Sequence, residues 1–140
     1  HALRMLEIGN TLLIEEMITY SVAELLVGVE HDPQLGYFIV VGRGGLAVEL
    51  DPDRVLVLLP ATRSMFYAAL AQLRCFAHLQ GYRGSLPGDI EAVVDVMSQL
   101  STFALEHGQL LELELNPLLV CPVGRGVIAA DVLARFAKPG

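Results

Sequence analysis

Glu24-Leu25-Leu26-Val27-Gly28-Val29-Glu30, then His31-Asp32-Pro33-Gln34-Leu35-Gly36, then Tyr37-Phe38-Ile39-Val40-Val41-Gly42: two apolar runs flank six residues of turn chemistry. Six residues are too few for a crossover helix, so the runs must pair antiparallel through a hairpin. The same reasoning extends outward, with short Val-, Ile- and Leu-rich runs at 11–18, 22–30, 37–42, 46–50 and 54–59 reading as strands. A mostly antiparallel sheet follows.

From Ala61 the period changes. Phe66, Leu70, Leu73 and Ala77 fall at helical spacing and predict a helix of about four turns. Gly81-Tyr82-Arg83-Gly84 breaks it. Ser85 and Pro87 mark a second helix start, with Asp89 and Glu91 complementing the dipole at its N-terminus. Ile90, Val93, Val94, Met97, Leu100 and Ala104 form its buried stripe, and Gly108 is the expected left-handed stop. Strands resume at 110–115, 118–121 and 127–131, leaving about 132–140 as a tail whose end, 136–140, is expected to fray. Strands, two helices and strands again make an α+β order with no internal repeat or linker.

Composition narrows the function classes. The chain has 140 residues, 54% apolar and 18% charged, with 9 basic against 16 acidic side chains and a net charge of −7. At this length a single domain buries roughly 68% of its unfolded surface, so disorder is excluded. The negative charge, and the scattering of Arg74, Arg83, Arg125, Arg135 and Lys138, argue against nucleic acid as a partner. Charges interrupt every apolar run long enough to span a bilayer, so no membrane is expected and the location reads as cytoplasmic. The sequence opens at His1 without an initiator Met or a signal-type segment, and residues 1–140 read as one domain excised from a longer protein. Cys75 and Cys121 lie 46 positions apart among apolar residues and read as buried free thiols. His1, His31, His78 and His107 show no metal-ligand spacing, and the chain has no Gly-x-Ser-x-Gly elbow.

The chemistry concentrates in Leu111-Glu112-Leu113-Glu114-Leu115-Asn116-Pro117. Strand alternation places Glu112, Glu114 and Asn116 on one face and the leucines on the other, and Pro117 tends to end the paired segment. A turn around residues 123–126 would fold the 127–131 run back and bring Asp131 near Asn116. Carboxylate and amide oxygens so gathered suit Mg²⁺ bridging phosphates, although the pattern alone favours the wet face of an amphipathic strand. Gly42-Arg43-Gly44-Gly45-Leu46-Ala47 has the letters of a dinucleotide fingerprint, but the strand-like Ala47-Val48-Glu49-Leu50 follows where that motif needs a helix. A tight hairpin and a loop whose amides face phosphate or a neighbouring domain both remain open. Arg83, between two glycines, is either an anion contact or a cap on helix carbonyls.

Taken in order, Glu24 to Gly28, Asp32-Pro33 and Gly36, then Gly42-Arg43-Gly44-Gly45 with Val48-Glu49, then Gly81-Tyr82-Arg83-Gly84, then Glu114-Leu115-Asn116-Pro117-Leu118, resemble one family. The chain, from about Leu12 to Asp131, is similar to the C-terminal half of the ATP-grasp domain of NDP-forming acyl-CoA synthetases, relatives of the succinyl-CoA synthetase beta subunit. The resemblance implies an antiparallel sheet with the helices packed on one face, forming half of a clamp around ATP or ADP. It implies Mg²⁺ ligation by Asn116 and Asp131, a catalytic acid at Glu114 beside the transferring phosphoryl group, and an adenine and ribose edge at Glu15, Glu16, Met17 and Ile18. The family reaction interconverts acyl-CoA, nucleoside diphosphate and phosphate with acid, CoA and nucleoside triphosphate, through an acyl phosphate and a phosphorylated histidine. Neither that histidine nor the CoA-binding modules is recognisable here, so the implied partners are an N-terminal ATP-grasp half and CoA-ligase domains, and the isolated chain is expected to be inactive. An apolar face meant for a missing neighbour would favour self-association. The chain departs from the family pattern at His31 and Val57, where arginines are usual, and at Leu35 and Tyr37, where Phe and Pro are usual. These departures motivate the alternative of a degenerate ATP-grasp module that regulates or scaffolds a fused enzyme such as a lysine acetyltransferase.

Overall fold

A computed structural model describes residues 2–8, 11–45 and 53–138. The chain runs β1 (Ala2–Ile8), β2 (Thr11–Met17), β3 (Ala23–Asp32), β4 (Gly36–Arg43), β5 (Arg54–Leu58), α1 (Arg63–Leu70), α2 (Phe76–Leu79), α3 (Ile90–Glu106), β6 (Leu110–Val120), β7 (Val127–Ala129) and β8 (Val132–Phe136). A six-stranded sheet has the order β5-β4-β3-β6-β7, with β8 sharing the outer edge of β6, and every pairing is antiparallel. β1 and β2 pair with each other in a separate two-stranded sheet. β1 was not anticipated, although Gly9-Asn10 between the two runs is a two-residue hairpin signal. The strand expected at 46–50 lies outside the described residues.

The β3–β4 hairpin closes where the opening motif requires. The Asp32 carboxylate accepts the N–H groups of Gln34 and Leu35 at 2.7 and 2.9 Å, and Gly36 takes φ +77°. One face of the sheet, built by Leu25, Val27, Val29, Ile39, Val41, Val57, Leu113, Leu115, Leu118 and Val120, packs against Phe66 and Leu70 of α1 and Val93, Val94, Met97 and Ala104 of α3. The helices therefore lie on one face. Among the described residues no helix is long and apolar enough to cross a membrane.

Three elements differ from expectation. The four-turn helix from Ala61 stops at Leu70, because Gln72 and Leu73 donate to the carbonyls three residues back, and the Arg74 and Cys75 amides go to the Asp53 carboxylate at 3.1 and 3.2 Å. α2 is a separate single turn that buries Leu79 rather than Ala77. α3 starts at its Asp89 cap as expected, but His107 rather than Gly108 ends it. The His107 Nδ1 lies 2.8 Å from the Phe103 carbonyl oxygen and its ring stacks on Phe103. Residues 132–136, read as tail, form β8 instead, since the free edge of β6 offers an unpaired ladder from Leu110 to Leu115.

A further difference positions the site. Pro117 does not end a strand: β6 runs through it, with a cis peptide bond between Asn116 and Pro117. Leu115 pairs Val27 and Leu118 pairs Leu25, so Asn116 and Pro117 together oppose the single residue Leu26. This bulge shifts the alternation by one, letting Leu113 and Leu115 before it and Leu118 and Val120 after it all face the helices. A second irregularity, between Leu110 and Glu112 on the β8 side, leaves Leu110 buried and Leu111 43% exposed, so the leucines do not share one face as expected.

Candidate functional site

On the sheet face turned away from the helices, β3 supplies Glu30 and β6 supplies Glu112, Glu114 and Asn116. Glu30 stands directly across the ladder from Glu112, whose carboxylate pairs with Arg135 of β8 at 2.5 Å. Burial pushes the Glu30 carboxyl above the usual range, and Glu112 and Glu114 push it further, against the opposing pull of Arg54 and Arg135.

Asn116, at the bulge, is held on three sides. Its Oδ1 accepts the Gly45 N–H at 3.2 Å, its Nδ2 donates to Glu114 Oε1 at 3.3 Å, and its backbone N–H donates to the Asp131 carbonyl at 3.1 Å. Ala130 N–H donates to the Pro117 carbonyl at 3.0 Å, which completes the local pairing of the 127–131 run with β6. The turn that folds this run back is pinned from the helical layer: Asp89 Oδ2 accepts the N–H groups of Gly124 and Gly126 at 2.8 and 2.9 Å, while Oδ1 caps α3 through Ala92 N–H. The fold therefore brings the Asp131 backbone against Asn116, beside Glu114, with the Asp131 side chain exposed.

The glycine segment is the participant that sequence reasoning left undecided. Gly44 N–H donates to the Glu24 carbonyl at 2.9 Å, continuing the β3–β4 ladder by one step, and the chain then reaches past β3 so that Gly45 meets Asn116. Gly45 has φ +74°. A Cβ on Gly44 would lie 2.4 Å from the Leu25 carbonyl, so only glycine permits this approach.

The remaining expected site residues lie elsewhere. Glu15, Glu16 and Met17 sit at the end of β2 and Ile18 just beyond it, in the two-stranded sheet, so the six-stranded sheet does not gather them with Asn116. Arg83 (φ +54°) follows α2 in the helical layer, on the other side of the sheet from Glu114; its guanidinium lies over the Tyr82 ring and donates to the Tyr82 hydroxyl at 3.1 Å. His31 packs against Tyr37 with ring centroids 4.7 Å apart, the Tyr37 hydroxyl donates to the Leu110 carbonyl at 2.9 Å, and Val57 is a core residue 7% exposed. Both cysteines are free thiols, Cys121 buried and Cys75 half-buried. Desolvation and the neighbouring Asp53 push the Cys75 thiol up to about 11. Among the described residues no three His, Cys, Asp or Glu side chains are gathered to hold a metal on their own. An ion beside Asn116 and Asp131 would take most of its ligands from phosphate and water, the usual arrangement for Mg²⁺.

The sequence profile of the ATP-grasp domain family matches residues 5–135. The chain is 34% identical over 116 residues to an acetate–CoA ligase (ADP-forming) I of Archaeoglobus fulgidus, covering 83% of this chain and 17% of that protein. It is 33% identical over 118 residues to the beta subunit of the Pyrococcus furiosus acetate–CoA ligase (ADP-forming) II, covering 84% and 49%. An acetyl-coenzyme A synthetase of Ca. Korarchaeum cryptofilum, solved with coenzyme A and Mg-AMPPCP, superposes with a TM-score of 0.81 at 28% identity over 89% of this chain and 57% of that one. A Pyrococcus horikoshii protein superposes with a TM-score of 0.82 at 29% identity over 94% and 55%. The chain thus spans from under a fifth to somewhat over half of the length of these relatives.

Proposed function

This chain belongs to the ATP-grasp domain family, and from that premise we propose that it is the Mg²⁺-nucleotide half-site of an NDP-forming acyl-CoA synthetase. The observation that carries the reading is the bulge at Asn116: on the sheet face opposite the packed helices its carboxamide donates to Glu114 Oε1, and its backbone N–H donates to the Asp131 carbonyl. The donor set fits the ion. Asn116 Oδ1 and the two carboxylates are hard oxygens, and an amide oxygen that accepts one N–H keeps a second lone pair.

In this reading Asn116 and Asp131 hold the metal, and Glu114 both orients the Asn116 carboxamide and stands next to the phosphoryl group. When bound, Mg²⁺ supplies charge neutralisation on the nucleotide phosphates. The chain's own contribution is position. Phosphoryl transfer demands little covalent work from a protein, so rigid placement of oxygens on two paired strands is the relevant catalytic asset. Glu15 to Ile18 are proposed as the adenine and ribose edge, acting through backbone groups. The other clamp half and the CoA-binding modules are the proposed partners, and the isolated chain is proposed to be inactive.

The test is Asn116→Ala in the full-length protein. Nucleotide-dependent acyl-CoA turnover is expected to be abolished with an unchanged circular dichroism spectrum and melting temperature. Normal turnover in that variant ends the reading.

A further inference from the structure

We infer that the Gly44-Gly45 segment is the positioning element of the metal site: its backbone amide aims the Asn116 carbonyl, and a side chain at Gly44 would release it. The inference rests on the nucleotide reading above and goes beyond it, because it assigns a role to a segment that carries no side-chain ligand of its own.

Three observations carry it. First, the Asn116 carboxamide is clamped at both ends, with Gly45 N–H on Oδ1 at 3.2 Å and Glu114 Oε1 on Nδ2 at 3.3 Å. The Glu114 contact fixes which end of the amide is nitrogen, and the Gly45 contact fixes where the oxygen points. Second, the segment reaches Asn116 only by crossing close over β3. Gly44 N–H bonds the Glu24 carbonyl, and a Cβ at Gly44 would meet the backbone carbon and oxygen of Leu25 at 2.4 Å. Backbone cannot rotate aside as a side-chain tip can. Third, Gly45 combines φ +74° with a Cβ position 2.2 Å from Glu24 Oε2, so the end of the segment is conformationally specified as well. A ligand whose orientation depends on a neighbouring hydrogen bond loses affinity when that bond is removed, typically 10- to 100-fold.

The experiment measures the affinity of the full-length protein for Mn²⁺-ADP by water-proton relaxation enhancement. Gly44→Ala is compared with wild type, Asn116→Ala and a control, Gly36→Ala. Gly36 has the left-handed backbone that Gly45 also has, φ +77°, but a Cβ there meets nothing within 4 Å, so it reports the generic effect of a glycine-to-alanine change in a hairpin turn away from Asn116. The expected result is about tenfold or more weaker binding for Gly44→Ala and wild-type binding for Gly36→Ala. Amide hydrogen exchange should also accelerate in the 42–45 segment of Gly44→Ala before any ligand is added.

A folded Gly44→Ala that binds Mn²⁺-ADP as wild type does overturns the inference while leaving the nucleotide reading standing. Equal weakening by Gly36→Ala also overturns it, since strain alone would then account for the effect. A wild type that binds no better than Asn116→Ala overturns both. Should Gly44→Ala fail to fold, Gly45→Ala decides by the same criteria, because the atom it displaces is the end of the Glu24 side chain rather than backbone.

Discussion

The Asp89 carboxylate joins the two layers of the fold at a single residue, capping α3 with one oxygen and pinning the turn before β7 with the other. Replacing it with alanine orphans three backbone donors and is expected to cost about 2 kcal/mol, read as a lower urea midpoint. The amides of Gly126, Ala92 and Gly124 hold the carboxyl below the usual aspartate range. The folded form therefore favours the charged state; the stabilisation is fully present above the unfolded value of ~3.9 and fades as pH falls through the folded value. The gap between wild type and Asp89→Ala should narrow on acidification, and a constant gap down to pH 2 would refute the assignment. Glu30 has the opposite sign. Burial and the facing Glu112 and Glu114 raise its pKa, so its ionised form penalises the folded state at neutral pH and the penalty disappears below the unfolded value. Glu30→Gln is expected to stabilise the protein at pH 7 by a few tenths of a kcal/mol, the scale of a like-charge cross-strand pair. No gain at pH 7, or a gain persisting at pH 3, would contradict this. At this scale the sequence was informative about Glu114, Asn116 and Asp131, because side-chain chemistry is written in the letters. It left Gly45 undecided, since its contribution is a backbone N–H that nearly every residue carries, and it missed Arg135, whose strand looked like tail.

At the scale of elements, β6 is the organising strand. It pairs β3 on one edge and both β7 and β8 on the other, and its bulge keeps four apolar side chains on the core face. Deleting Pro117 would restore a regular ladder and turn Leu118 and Val120, 1% and 0% exposed, away from the helices. Burying each of these is worth ~1.5–3 kcal/mol, a sum comparable to much of the stability of a small domain. The deletion is expected to abolish cooperative urea unfolding, and a wild-type midpoint would show that the bulge is dispensable. Hairpins and the α3 stripe were legible in the sequence because turn residues and the 3.6-residue period are local signals. The break after Leu70 was not, since it depends on Asp53, about twenty positions upstream, capturing the Arg74 and Cys75 amides. The bulge was hidden for the same reason: alternation in β6 looks regular until Leu118 and Val120 must share a core with Leu113 and Leu115.

For the whole molecule, the described helices pack on one sheet face and the opposite face carries the acidic and amide oxygens, the arrangement that the proposed half of a nucleotide clamp requires. Exposed Leu56 and Leu58 on β5 and Leu133 on β8 flank those groups, giving the face an apolar border. The family resemblance lay in motif order across the chain, and the sheet topology explains that order: Gly42 to Gly45 and Glu114 to Asn116 converge on one point although about seventy residues separate them. The central claim is that Asn116 and Asp131 hold the metal of a bound nucleotide. The most direct measurement is electron paramagnetic resonance of Mn²⁺-ADP titrated with the full-length protein, comparing wild type with Asn116→Ala and Asp131→Ala. The account predicts a bound-metal signal in the wild type and affinity weakened by ~100-fold in each variant; equal affinity in all three would contradict it.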